Sequence, residues 1–337
     1  MSHDERGPSR RRRLGLALST QRWVALVAVL AVVLVTLGVA VVISKRSTKR
    51  PGSALAGIGA GAATELAATR ELGDPRLAWR PPVLQDPVAI QVDPGGTQLD
   101  LDPSRDYSIA MPPTPVAAPD GLRINGGRNV VLVGGTIDIP PAATTGAKIR
   151  TGLILSNWTG TMHVEGLLIR GDLLEGIDAN TFSANTVLQL ELVRVERVHG
   201  GYDENHADVL QMWSGATVVR VDRVTGTTDY QGFFFNPNDR RFDHETPTRE
   251  VDVQRVDLHL VDDGAVGYLF YAAGDPFPLS CSKCFADAPT RRYPEQVVNE
   301  KWLSDDAGPG VSDGSPNGSF APLDLVGVGY RSPGYAR

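Results

Sequence analysis

A local pattern that recurs about six times between residues 121 and 272 constrains the fold more than anything else in this chain. A short apolar run is followed by a turn and then by a longer strand-like run. The short runs open as Leu122-Arg-Ile-Asn125, Ile154-Leu-Ser-Asn157, Ile177-Asp-Ala-Asn180, Val209-Leu-Gln-Met212, Phe233-Phe-Phe-Asn236 and Tyr268-Leu-Phe-Tyr271. The longer runs occupy 129–139, 162–169, 187–195, 217–224 and 251–261. Four openings carry Asn at the same offset, a residue that tolerates left-handed backbone and bonds to neighbouring peptide groups. Gly121, Gly152, Gly176, Gly232 and Gly267 come just before the openings, where a tight corner needs a residue without Cβ.

The period is about 24–35 residues, inside the range of solenoids. Each run is too short to bury a face alone but buries one when stacked on copies of itself. Stacked Asn side chains can then bond from copy to copy. No run keeps an i, i+3, i+4, i+7 rhythm, so helical repeats fit poorly. The expectation is an all-β solenoid of about 6–8 rungs.

Residues 23–43, from Trp23 to Ile43, are almost all apolar and uncharged. A helix of that length spans a hydrocarbon core of about 30 Å. Arg6, Arg10, Arg11, Arg12, Arg13 and Arg22 precede it, and Lys45, Arg46, Lys49 and Arg50 follow it. The larger cationic count puts the N-terminus in the cytoplasm and the repeats outside. A cleaved signal peptide is the competing reading. The run is long for one, and its exit, Ser44-Lys45-Arg46, is basic. The expected organisation is a basic tail (1–22), a transmembrane helix (23–43) and an Ala/Gly-rich stalk (44–87). The repeat domain (88–289) and an irregular tail (290–337) follow. Val92–Met111 reads as a cap over the first rung, and Leu323–Tyr330 as one last strand.

Residues 1–50 hold ten Arg/Lys and two acids, +8, so with −6 for the whole chain residues 51–337 carry −14. An acidic domain argues against nucleic acid as the partner. It also makes a bare polyanion an awkward ligand unless a cation bridges the two. Cys281 and Cys284 are the only cysteines. Their spacing suits a redox pair, half a zinc site or a small structural disulfide. Zinc needs two further ligands, and a thioredoxin-like reading needs a βαβ context. Outside the membrane the disulfide is the plain reading, with free thiols the alternative.

Short strand, Asn turn, longer strand and Gly corner, with Gly126-Gly127-Arg128-Asn129-Val130-Val131-Leu132-Val133-Gly134-Gly135 near the first rung, resemble the right-handed parallel β-helix of the pectin-lyase-like superfamily. The resemblance covers about Gly95 to Pro289. It implies polysaccharide or a cell-surface glycan as partner, with uronate elimination or glycosidic hydrolysis as the chemistry. Lyase-like members hold Ca²⁺ in an acidic cluster and use an Arg or Lys as base. Polygalacturonase-like members carry NTD, DD and GHG motifs in successive rungs. Here Asp262-Asp263 is an isolated DD, no GHG occurs, and Asn180-Thr181-Phe182 stands in place of NTD. Fold alone licenses no reaction.

The densest polar stretch is His199–Trp213, and at the corner where other rungs carry Gly it has Asp208. Local rules break at functional sites, which makes this stretch the candidate site. His206 suits a general base near neutral pH, with Asp208 and Arg240 as its catalytic companions. Asp203, Glu204 and Asp178 offer oxygen ligands for Ca²⁺. Tyr202, Gln211, Trp213, Tyr230 and Asn236 offer sugar contacts. Arg240 or Arg241 can grip a carboxylate, or simply pair with Asp239 and Asp243. His163, His244 and His259 stand isolated and read as exposed or core-edge. Two functions remain. A membrane-tethered glycan-active enzyme predicts that His206, Asp208 and an Arg from 240–241 converge. A non-catalytic surface module predicts those groups scattered beside aromatic stripes.

Overall fold

Apolar residues at alternate positions of short strands need a second surface to face, and successive turns of the chain supply it. The computed structural model describes residues 75–201, 206–242, 246–261, 267–302 and 310–336, and within them the chain forms a parallel β-solenoid of about seven turns. The expected membrane span at 23–43 lies outside the described residues. Among those described, no helix is long and apolar enough to cross a membrane.

The first turn holds β1 (Val88–Gln91), β2 (Gln98–Leu101) and β3 (Tyr107–Ala110). The second holds β4 (Leu122–Gly126), β5 (Val130–Val133) and β6 (Thr136–Ile139). The third holds β7 (Thr151–Ser156), β8 (Thr161–Glu165) and β9 (Leu168–Gly171). From the fourth turn on, the last two strands of each turn run together. These later pairs are β10 (Glu175–Asn180) with β11 (Val187–Val198), and β12 (Asp208–Met212) with β13 (Val218–Thr228). They continue as β14 (Gln231–Phe235) with β15 (Glu250–Leu260), and β16 (Phe270–Ala272) with β17 (Leu279–Asp287). A short β18 (Val311–Asp313) ends the series.

The first sheet runs β1-β3-β5-β8-β11-β13-β15-β17-β18, with β6 and β9 alongside, and the second runs β2-β4-β7-β10-β12-β14-β16. Every strand pair in both sheets is parallel. Leu153, Leu155, Ile177, Leu210, Met212, Phe233 and Phe235 point inward from the second sheet to join one continuous core. Trp158 is the largest fully buried side chain.

Each long strand bends at a left-handed residue that recurs in register, and β11 has a second irregularity at Arg197. Leu192, Arg223, Arg255 and Lys283 have φ of 54°, 54°, 51° and 54°. In the earlier turns Gly134 and Gly166 make the same bend. The first sheet is thereby folded into two faces, and the solenoid has three.

Several expectations are corrected. Val92–Met111 is not a cap over the first turn but part of it, because β2 pairs with β4 and β3 with β5. The last strand is Val311–Asp313, and Leu323–Leu325 is a 3-10 turn. Asp208 is not at the glycine corner. Register matches Val209 to Gly176 and Gly232, and Asp208 to Glu175 and Gln231. The Cys281–Cys284 disulfide, by contrast, agrees with the plain reading of the sequence, and it sits on β17, the long strand of the seventh turn.

Candidate functional site

The outer face of the second sheet carries the residues that the sequence singles out. Register stacks Arg123, Ile154, Asp178, Gln211, Phe234 and Tyr271 in one outward column, one residue per turn. At about 4.8 Å per strand the column is roughly 24 Å long. Beside it Asn125, Ser156 and Asn180 form the corner ladder. Ser156 Oγ and Asn157 Nδ2 donate to Asn125 Oδ1 (3.1 and 3.0 Å), and Asn125 Nδ2 donates to Asp100 (3.0 Å). Asn157 sits one position outside the column with φ 56°, which is why its side chain reaches back a turn. Asn180 Oδ1 takes the backbone N–H groups of Trp213 and Ser214 (2.8 and 3.0 Å) and so holds the next corner.

Asp208 is almost fully buried. Gln211 Nε2 donates to its Oδ2 at 2.6 Å, while its Oδ1 has no partner. Burial pushes its carboxyl well above the usual range; the Gln211 bond opposes this, and the nearby Glu175 and Asp178 charges reinforce it. Asp178 is raised as well by burial, opposed by the Asn180 amide and the Arg123 charge. Two carboxyl groups on adjacent turns thus favour holding protons.

His206 is exposed and its ring packs on Tyr230, with centroids 5.4 Å apart. Asn236 Nδ2 donates to Asp239 (2.8 Å), and Asp239 also takes the Arg241 guanidinium (2.5–3.0 Å). Arg241 then lies 4.7 Å over the Trp213 ring. Arg240 turns instead to Asp275 at 2.8 Å. Trp213, Phe234, Tyr271 and Tyr268 follow in a chain of ring contacts with centroids 4.6, 5.3 and 5.6 Å apart. Structure therefore joins Asp178, Asp208, Gln211 and Trp213 on one face and sends Arg240 elsewhere. Tyr202, Asp203 and Glu204 lie outside the described residues, as do His244 and Asp262-Asp263. Among the described residues no group of three His, Cys, Asp or Glu side chains is placed to hold a metal ion.

A shallow, open pocket of about 220 Å³ is found away from this face. It lies against the bend of the first sheet, between Arg76, Gln254, Arg255 and Lys283. Nearby is a polar cluster that sequence reasoning missed. Glu165, Glu191 and Asp222 stack on three successive turns, each 0 % exposed. His163, expected at the surface or core edge, is buried beside them between Gln189 (2.9 Å) and Glu165 (3.1 Å). His259 is bracketed by Asp257 and Asp287, and the Asp257 bond raises its pKa above the ordinary imidazole value. The signal was present as alternation: His163-Val-Glu165, Gln189-Leu-Glu191 and Arg220-Val-Asp222 place two polar residues on one face. Alternation of that kind normally marks a solvated face, so nothing in it announces burial.

Comparison with protein-family models, curated proteins and solved structures finds no match to this chain. The parallel β-solenoid is therefore the statement of kinship the fold allows.

Proposed function

We propose that this chain is a membrane-anchored, extracytoplasmic, right-handed parallel β-helix of pectin-lyase-like type that binds polysaccharide along the outer face of its second sheet. One observation carries the reading: the rings of Trp213, Phe234 and Tyr271 follow one another on three successive turns, with Tyr268 stacked on Tyr271 in the last, beside half-buried amide and carboxyl groups. Stacked turns present rings at roughly 5 Å intervals, a repeat comparable with one sugar unit. Apolar ring faces with a few fixed polar groups are the makings of a saccharide site. Arg241 over Trp213 fixes the end ring in place. The test is calorimetry of the full chain against a panel of neutral and uronate polysaccharides. Trp213→Ala and Tyr271→Ala should each weaken binding about tenfold, the effect expected for an aromatic anchor. Unchanged affinity in both variants removes the reading.

Cleavage is a second reading, favoured by Asp208. A carboxyl whose pKa is raised by burial leans toward the protonated form that general-acid work needs. Product assays for reducing ends and for unsaturated uronates, with and without Ca²⁺, separate cleavage from binding. Turnover lost in Asp208→Asn with binding retained supports cleavage; no turnover on any glycan removes it.

A further inference from the structure

We propose that the two ends of the described chain form one strap, closed over the stacked carboxylates Glu165, Glu191 and Asp222, which opens as the medium turns alkaline. The ends first pair with each other. Leu77 N donates to Gly334 O and Ala336 N to Leu77 O, both at 2.8 Å, around a parallel Leu77–Tyr335 bridge. The pair then lies across the bend of the first sheet. Trp79 N donates to both oxygens of Glu191 (3.2 and 3.1 Å), and Tyr335 Oη donates to Glu165 Oε2 (2.8 Å). Arg223 takes the carbonyls of Pro75 and Arg76 at 2.5 and 2.7 Å. Leu77, Leu168, Leu192, Ala321 and Val326 make a separate apolar cluster under the strap. Tyr330 seats on Gly166, where a Cβ would stand 2.2 Å from its ring.

The three carboxylates are not equally compensated. Asp222 is gripped by Arg255 through two bonds of 2.6 and 2.5 Å. Glu165 has His163 and Tyr335, yet its Oε1 has no partner. Glu191 has only backbone N–H donors from the strap, and it stands between Asp222 and Glu165 on the neighbouring turns. The other charged groups on this face are Arg220 and Arg223 from β13, with Arg80 from the strap. Burial under the strap, set against the Trp79 bond and aided by the Asp222 and Glu165 charges, pushes the Glu191 carboxyl up to about 8.

The sign follows. With the strap open, Glu191 meets water and returns to the ordinary value of about 4.3. Closure therefore binds a proton between about 4.3 and 8. It is tightest below the lower value, weakens about tenfold per pH unit through the interval, and levels off above 8. Opening frees residues 75–84, because Gln85 N remains tied to Asp106 Oδ2 (2.7 Å). Ten residues add up to roughly 35 Å of reach to the segment before the solenoid.

The test is ¹⁹F NMR of the full chain with fluorotryptophan, the Trp79 resonance assigned with Trp79→Phe. A single strap-closed signal is expected at pH 5, with a solvent-exposed signal replacing it between about pH 6 and 8, inside the interval where closure weakens. The Trp158 and Trp302 signals should stay fixed, showing that the solenoid remains folded. Glu191→Gln removes the ionisation and should keep the closed signal throughout. Tyr335→Phe removes one strap bond and should move opening to lower pH, which keeps the test alive if the Gln variant fails to fold. A Trp79 signal unchanged to pH 10, opening of Glu191→Gln at the wild-type pH, or simultaneous movement of all tryptophans overturns the proposal.

Discussion

At the scale of single residues, the interior is built from complementary pairs of one glycine and one large side chain. A Cβ on Gly152 would stand 2.2 Å from Ile169, one on Gly176 2.7 Å from Val195, and one on Gly232 2.7 Å from Leu258. In the fifth turn the pair is reversed. Val209 holds the second-sheet position, and Gly226 on β13 makes room, its absent Cβ 2.6 Å from Val209. Gly226→Val should therefore destabilise the fold by about 1–3 kcal/mol through overpacking. The double variant Val209→Gly/Gly226→Val restores the other turns' arrangement, and denaturant titration should show coupling of about 0.5–3 kcal/mol. Strict additivity would refute the pairing. The same reversal explains why Asp208 reads from sequence as the odd corner residue. The missing glycine is seen at once, but its replacement lies on another strand. Asp208→Asn tests the buried acid directly. Its raised pKa means wild-type stability falls as pH rises past the ordinary carboxylate range. Denaturation at pH 4 and pH 8 should show the Asn variant losing less stability between them.

At the scale of elements, six openings were legible because the apolar rhythm recurs in all of them, with a corner glycine before five and an Asn in four. The outermost turns were not. β2 and β3 alternate with acids and exposed residues, and among the described residues β2 is the edge strand of its sheet. β17 hides behind its cysteines and Lys283. The bend was invisible for a different reason: left-handed positions usually announce themselves by Gly or Asn, yet here they hold Leu192, Arg223, Arg255 and Lys283. Leu192 and Arg223 are kept there by what they bury or bind. Lys283 is exposed, and among the described residues its side chain makes no hydrogen bond. Lys283→Gly should leave thermal stability equal or slightly raised, since relief of about 1–2 kcal/mol of left-handed strain outweighs the chain entropy of glycine. Lys283→Val, β-branched at positive φ, should lower it by more than 1 kcal/mol. If the two variants melt together, the bend is not set by backbone strain.

At the scale of the whole molecule, charge sets a test of the proposed glycan binding, because it discriminates between the glycans such a site could take. The −14 of residues 51–337 belongs to a domain several of whose arginines, at the surface as well as in the interior, are already engaged. Arg128, Arg170, Arg194, Arg240, Arg241 and Arg255 each face a carboxylate within 3 Å. A neutral polysaccharide approaches such a surface without penalty and binds by ring contact, which salt hardly alters. A uronate chain meets repulsion that screening relieves, because the Debye length shrinks from about 30 Å at 0.01 M to about 8 Å at 0.15 M. Affinity for a neutral glycan should therefore be flat between those salt concentrations. Affinity for a uronate polymer should rise with salt, the opposite of what a basic binding cleft gives. Repeating the titration with Ca²⁺ at fixed ionic strength separates screening from bridging, since a bridging cation strengthens only the uronate complex. A uronate polymer that binds best at low salt would mean that a local cationic path, with Arg123 and Arg241 its nearest members, overrides the net charge.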